Sequence, residues 1–403
     1  MNIYEVITKQ SHIYDSFYLY DESCILDNTQ KLLDSFPGVE FLYSVKCNPN
    51  TNVLNCVFSQ GFGADAASLG EVLLSCKAGL PKEKIYYSAP GKTLKDIRES
   101  IEKSFLIADS IDEIHRIQKV AEEMDIKVKI GLRINPDFTY LTDSGVSSKF
   151  GIDEDQAAEF ITNSSCDRVR INGIHVHLKS QELDAKILAG YHKKMFVLAE
   201  KFDKLCGGLE YLNLGSGIGI PYEEGDAPFD LSYLSSSMEK ELAGFKTICP
   251  DTKVMIEVGR FAVCKSGVYV TKVLDRKVSH GKTYIILKNT MNGFIRPSLA
   301  KMVLSYTNEV SPKGTEPLFT SRNAFSFITL KEEDEEETVT LVGNLCTSAD
   351  VIAEDITLPR LEAGDLVVIN NAGGYAAVLS PIQFSSQEKP SELFLTSKGD
   401  ITV

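Results

Sequence analysis

The chain has 403 residues, with 24% charged and 43% hydrophobic positions, the balance of an ordinary soluble protein with room for two domains. Its net charge of −14 argues against nucleic acid or an anionic membrane as partner. Nine cysteines, an odd number with no C-x-x-C pair, argue against a disulfide framework or structural zinc and for a reducing cytoplasm. The opening MNIYEVITKQSHIYD lacks the pattern of a signal peptide, and no apolar run approaches the ~18 residues of a membrane helix.

Short apolar, β-branched or aromatic runs alternate with helical periodicity. Eight predicted strands cover residues 39–46, 62–67, 84–88, 105–108, 128–134, 173–178, 209–214 and 254–258. Amphipathic stretches follow them, for example 111–123 and 183–205. Eight strand–helix units in series predict a (β/α)8 TIM barrel, whose chemistry sits at the C-terminal strand ends. Beyond about residue 260 the rhythm becomes strands with long loops, at 268–278, 283–288, 338–343 and 366–370. The expected division is a barrel over 20–260, and a mainly β, Greek-key-like C-terminal domain from 261–403 joined by residues 1–19. The acidic run 332–337 reads as a solvated loop.

Several strand ends carry polar residues. Lys46 follows the first strand in FLYSVKCNPN, where a plain surface lysine is the simplest account. The sixth strand reads GIHVHLKSQ, and the alternation puts His175 and His177 on one face. A two-histidine metal site lacks a third ligand nearby, so a core histidine or a ring stacked on a ligand is the better reading. After the seventh strand, LNLGSGIGIPY places Gly215, Gly217 and Gly219 where backbone N–H groups can meet an anion. The eighth ends in EVGR, with Glu257 and Arg260. Further on come LCTSAD, with Cys346 and Asp350, and NAGGYAAVLS, with Tyr375.

In this order the motifs resemble the fold-type III pyridoxal phosphate (PLP) decarboxylases, the family of the ornithine, arginine and diaminopimelate enzymes. The resemblance spans nearly the whole chain. It implies a PLP cofactor and a Schiff base on Lys46, with Asp65 near that lysine and His177 stacked on the pyridine. It implies a phosphate set of Ser180, Gly215, Ser216, Gly217, Gly259, Arg260 and Tyr375. Glu257 matches the carboxylate paired with the pyridine nitrogen, which makes the ring a strong electron sink and favours decarboxylation over racemisation. Cys346 matches the residue that protonates the carbanion, on a segment entering the partner's site, so the resemblance implies a homodimer. No metal is implied.

The substrate half departs from the family. Thr347 stands where diaminopimelate decarboxylases carry glutamate and ornithine decarboxylases aspartate, so no carboxylate awaits a distal ammonium. R-P-A-L-Y is here R-P-S-L-A, keeping Arg296 as a candidate for a substrate carboxylate. H-x-G-S-Q becomes H-L-K-S-Q, with Lys179 in place of glycine. L-C-T-x-x-D is similar to a subgroup acting on conjugates, the siderophore and glutamyl-carrier-protein decarboxylases. The expected substrate is therefore a small-molecule or carrier-bound amino-acid conjugate, met by Lys179, Arg296, Thr347 and Asp350. The alternatives are a diaminopimelate, ornithine or lysine decarboxylase, a racemase, and a non-catalytic PLP-binding homologue.

Overall fold

The computed structural model describes residues 3–163, 166–215, 217–223, 225–307, 316–321, 323–331 and 335–403. The chain divides into two compact units. One is Asn28–Ile220 with Pro228–Gly259; the other takes the chain up to Asp27, Pro221–Ala227 and everything from Arg260 onward. The first boundary thus falls several residues later than expected, and a short excursion at 221–227 belongs with the second unit.

The first unit is a closed barrel. Its strands are β1 (Val39–Ser44), β2 (Gly63–Ala66), β3 (Ile85–Ser88), β4 (Phe105–Ala108), β5 (Val128–Asn135), β6 (Val169–His175), β7 (Tyr211–Asn213) and β8 (Lys253–Val258). Each pairs in parallel with the next, and β8 closes on β1 with Glu257 opposite Leu42. The strands are buried along nearly their whole length, which is why they read as apolar runs rather than alternating ones. Helices follow most of them, and their starts are legible. Asn50, Ser68, Thr93, Ser110, Asp184 and Asp230 each accept backbone N–H bonds at a helix N-terminus, and Thr93 with Asp96 forms a full capping box.

The barrel is filled by Leu42, Tyr86, Ile107, Tyr211 and Met255. The Tyr211 ring demands a neighbour without a side chain. A Cβ at Gly173 on β6 would sit 2.2 Å from Cζ of that ring. Above this plug lie the strand ends, where the polar residues gather.

The second unit is mainly β. The long strand Gly267–Ser279 is its spine. It pairs antiparallel with Ser16–Asp21 and with Leu366–Ile369 along its first half, and with Lys282–Leu287 along its second. Ser16–Asp21 pairs in parallel with Ser391–Leu395, and Lys282–Leu287 in parallel with Glu336–Gly343, so the sheet is mixed. Val6, Ile7, Phe17, Leu19, Val270, Val368 and Leu393 form its core. Glu336 and Glu337 are not loop residues as expected: they open the strand Glu336–Gly343, and Glu337 pairs with Arg276. Residues 332–334 of that acidic run lie outside the described residues.

Candidate active site

Lys46 does not end a strand as the pattern suggests. β1 stops at Ser44, and Lys46 rides on the one-turn 3-10 helix Val45–Cys47. That turn lifts the amine off the sheet while Val45 and Cys47 stay buried. Lys46 Nζ lies 2.5 Å from Asp65 Oδ2 on β2, and Ser44 Oγ donates to the same oxygen at 2.9 Å. The lysine side chain remains 42% exposed while Asp65 is buried. A buried carboxylate beside an accessible amine is an arrangement for holding and releasing a proton, not for stability alone. Burial pushes the Asp65 carboxyl up, and the nearby negative charge of Glu257 adds to it, against the pull of Lys46.

Glu257 behaves oppositely. Burial would raise its carboxyl, but His175, Lys46 and His177 outweigh that and hold it well below the usual carboxylate range. Its Oε1 accepts from Asn213 Nδ2 at 2.9 Å and lies 3.1 Å from His175 Nε2. The two histidines of strand six do not form a pair. β6 ends at His175, which turns inward to Ser88 and Glu257; His177 lies beyond the strand with its Nε2 3.2 Å from Ser180 Oγ. Removal from water brings His177 down to about 3, so the ring is neutral at physiological pH. Among the described residues no group of three His, Cys, Asp or Glu side chains is placed to hold a metal.

The glycine loop after β7 is built by close packing. Gly215 has φ +69°, and a Cβ there would stand 2.1 Å from the Val176 carbonyl oxygen. Asn213 Oδ1 accepts from Gly215 N–H and the Gly215 carbonyl accepts from Glu257 N–H, tying β7 and β8 at one level. Gly217 and Gly219 bind the segment after His177 through backbone bonds to Glu182. Ser216 lies outside the described residues. Lys179, on that same segment, reaches Glu182 at 2.7 Å and is more than half exposed.

Four residues that the motifs do not single out join this group, Ser44, Ser88, Arg133 and Asn213, together with His175 of the sixth-strand motif. Arg133 is buried, lies 3.7 Å from Asp109, donates to the His177 carbonyl at 3.4 Å and stacks over the Phe150 ring. The available signal was positional. Ser44, Ser88, His175 and Asn213 are each the last residue of a barrel strand, polar after an apolar run.

In the second unit Arg260 pairs with Glu316 and stacks over the Tyr375 ring, 4.6 Å from its centre. Tyr375 has φ +53°, a conformation that costs a non-glycine residue energy and is retained where surroundings dictate it. Cys346 is exposed, the only exposed thiol of the nine, and so is not a buried structural cysteine. Thr347 is half-buried beside it.

Two residues expected at the substrate are placed otherwise. Asp350 is buried, its carboxylate taken up by Thr290 Oγ1, Met291 N–H and Leu345 N–H. It orders the loop that carries Cys346 instead of presenting a free charge. Arg296 is 1% exposed, lying between the rings of Tyr222 and Phe325 with Nη2 donating to Thr320 Oγ1 at 2.5 Å. A helix start at Ile295 draws it inward, and Pro297 is tolerated there because first-turn N–H groups have no helical partner.

Comparison with known proteins decides the family. Residues 22–264 match the family model described as pyridoxal-dependent decarboxylase, pyridoxal binding domain. The chain belongs to the pyridoxal-dependent decarboxylases. It is 29% identical to the L-glutamyl-[BtrI acyl-carrier protein] decarboxylase of Niallia circulans, over 94% of this chain and 88% of that one. It is 29% identical to the 2-[(L-alanin-3-ylcarbamoyl)methyl]-2-hydroxybutanedioate decarboxylase of Staphylococcus aureus, over 98% and 97%. Among solved structures it resembles the diaminopimelate decarboxylase of Helicobacter pylori complexed with L-lysine, at a TM-score of 0.82 and 27% identity, covering 99% and 95%.

This decarboxylase depends on PLP, and the donor set fits that group. The barrel's strand ends offer an accessible amine, a neutral ring, and a buried ionised carboxylate with no lysine or arginine in ion-pair contact among the described residues. That carboxylate needs a cationic partner, as a protonated pyridine nitrogen is.

Proposed function

We propose that this decarboxylase acts on an amino-acid conjugate bearing an extra anionic group, citryl-like or carrier-tethered, and not on a free diamino acid. One observation carries the reading. The motif position that holds a carboxylate in the free-diamino-acid enzymes is Thr347, while Lys179, a mostly exposed cation, stands where they have glycine. A distal ammonium finds no partner in that pair; a distal carboxylate or phosphate does. The printed activities of the Niallia and Staphylococcus relatives, one on a carrier-bound and one on a citrate-type conjugate, support it.

In this reading Lys46, Asp65, His177, Ser180, Gly215, Ser216, Gly217, Glu257, Gly259, Arg260 and Tyr375 would hold the cofactor. When bound, it supplies the electron sink that loss of CO2 requires. Asp65 accepts and returns the Lys46 proton. Glu257 keeps a negative charge in place, and the neutral His177 ring offers a flat face without competing charge. Cys346 delivers the proton that replaces the carboxylate, and Thr347 contacts the substrate beside it. An exposed Cys346 suits a donor that serves a partner subunit, so the enzyme works as a homodimer with shared sites. Nine free cysteines suit a reducing cytoplasm.

The test is a mass-spectrometric screen for CO2 loss by PLP-loaded protein. It sets free diaminopimelate, ornithine and lysine against citryl-amino-acid and carrier-tethered conjugates. Turnover of conjugates alone is expected, and Lys179→Ala then raises KM for them about tenfold, the scale of one charge-assisted contact. Turnover of free diaminopimelate with an unchanged KM in Lys179→Ala replaces this reading with the diaminopimelate one.

A further inference from the structure

Beneath Glu257 runs a line of buried polar side chains that the proposed function leaves unused. Ser88 Oγ lies 3.3 Å from His175 Nδ1, and His175 Nε2 lies 3.1 Å from Glu257 Oε1. Asn213 Nδ2 donates to the same Oε1 at 2.9 Å. The four residues come from β3, β6, β7 and β8, and all are buried, His175 at 2% exposure. β3's exit is itself fixed: the buried Lys92 Nζ donates to the Ala89 carbonyl at 2.8 Å, to the Ile107 carbonyl at 2.7 Å and to Glu113 at 2.7 Å.

The carboxylate is held asymmetrically. Both neighbours sit on Oε1. Glu257 Oε2 makes no hydrogen bond among the described residues, and it is not one of the buried atoms sealed without a partner. One oxygen is thus gripped from below and the other is open. A buried neutral ring has one donor and one acceptor nitrogen to satisfy, and Ser88 meets only Nδ1. The other nitrogen, Nε2, makes no aligned hydrogen bond among the described residues and stands 3.1 Å from Oε1 as an electrostatic neighbour of the one carboxylate that the cofactor needs ionised.

We propose that His175 is a positioning residue of the decarboxylase: braced by Ser88, it fixes Glu257 through Oε1 so that Oε2 presents its charge to a protonated ring nitrogen. This rests on the reading that Glu257 pairs with that nitrogen. With Ser88 donating to Nδ1, the His175 proton lies on Nε2, toward Glu257. The charged or titratable groups facing Glu257 are His175 and His177 from β6 and its exit, Lys46 after β1, Asp65 on β2 and Tyr191 on the helix Ala185–Cys206. Loss of His175 removes a counter-group, so the Glu257 carboxyl titrates at higher pH and its charge is lost sooner on acidification.

The experiment follows the absorption spectrum of the bound cofactor and kcat against pH in holoenzyme. It compares wild type, His175→Ala, His175→Gln, Ser88→Ala and Glu257→Gln. The expected result is an acid limb moved up by about one unit or more in His175→Ala, with a matching spectral change and KM little altered. Gln, whose amide reaches Oε1, returns the profile toward wild type. Ser88→Ala moves it less, and carries the test if His175→Ala does not fold. If Glu257→Gln alters spectrum and profile while the His175 and Ser88 variants match wild type, the positioning role is overturned and the Glu257 reading stands. If Glu257→Gln also matches wild type, the Glu257 reading fails and takes this proposal with it.

Discussion

The barrel and the β unit use charged side chains in opposite ways. At the barrel's strand ends, charges are supported but left available: Lys46 on Asp65, Glu257 on Asn213 and His175, Lys179 on Glu182. In the β unit the motif charges are consumed. Asp350 gives its oxygens to its own loop and Arg296 lies buried between two aromatic rings. The difference teaches that a motif residue's role depends on what its backbone does. A rigid strand end presents a side chain; the loop of Asp350 must first use its polar residues to hold itself together, and the helix start at Ile295 turns Arg296 inward.

The sharpest way to break this contrast is Lys46→Ala. It should abolish CO2 release, by about a thousandfold or more, and release the cofactor on dialysis, read as loss of its visible absorption. Retained cofactor with unchanged turnover would remove Lys46 from the site altogether.

Asp350→Ala probes the other side. It leaves the Met291 and Leu345 N–H groups and the Thr290 hydroxyl without their acceptor in a buried place. The expected cost is about 3 kcal/mol of stability, measured by chemical denaturation. Unchanged stability with a raised KM would instead make Asp350 a substrate contact and erase the contrast.

A smaller effect sharpens the barrel's side of it. His192, on the helix Ala185–Cys206, is buried outside the site, and desolvation lowers it to about 3. The unfolded chain binds that proton below about pH 6.5 and the folded one does not, so stability falls as pH drops through this window. The loss at pH 5 relative to pH 7 is about 2 kcal/mol, and His192→Leu should remove that much of the acid sensitivity. A variant as acid-sensitive as wild type would assign the effect to the site's own groups.

Much of the candidate site was legible because barrel strands are short apolar runs and the residues ending them stand out. Lys46, Asp65, His177 and Glu257 fall within two residues of such ends. What was not legible came from side-chain direction. Alternation put His175 and His177 together, but the strand stops between them, so one ring turns to Glu257 and the other to Ser180. Ser88 and Asn213 carry no motif of their own, and their meaning comes from strands β3 and β7 reaching the same level as β6 and β8.

By itself, then, the sequence determined the barrel, the change to a β unit and the order of the cofactor motifs, because periodicity, caps and strand-end chemistry are local properties. Only the tertiary structure decided which charges stay available. Whether Asp350, Arg296 or Glu257 presents a free oxygen or guanidinium depends on partners up to sixty residues or more away in the chain. Burial gives those contacts their weight: in a low-dielectric interior each polar group must be paired, and the pairing sets both its charge and its use.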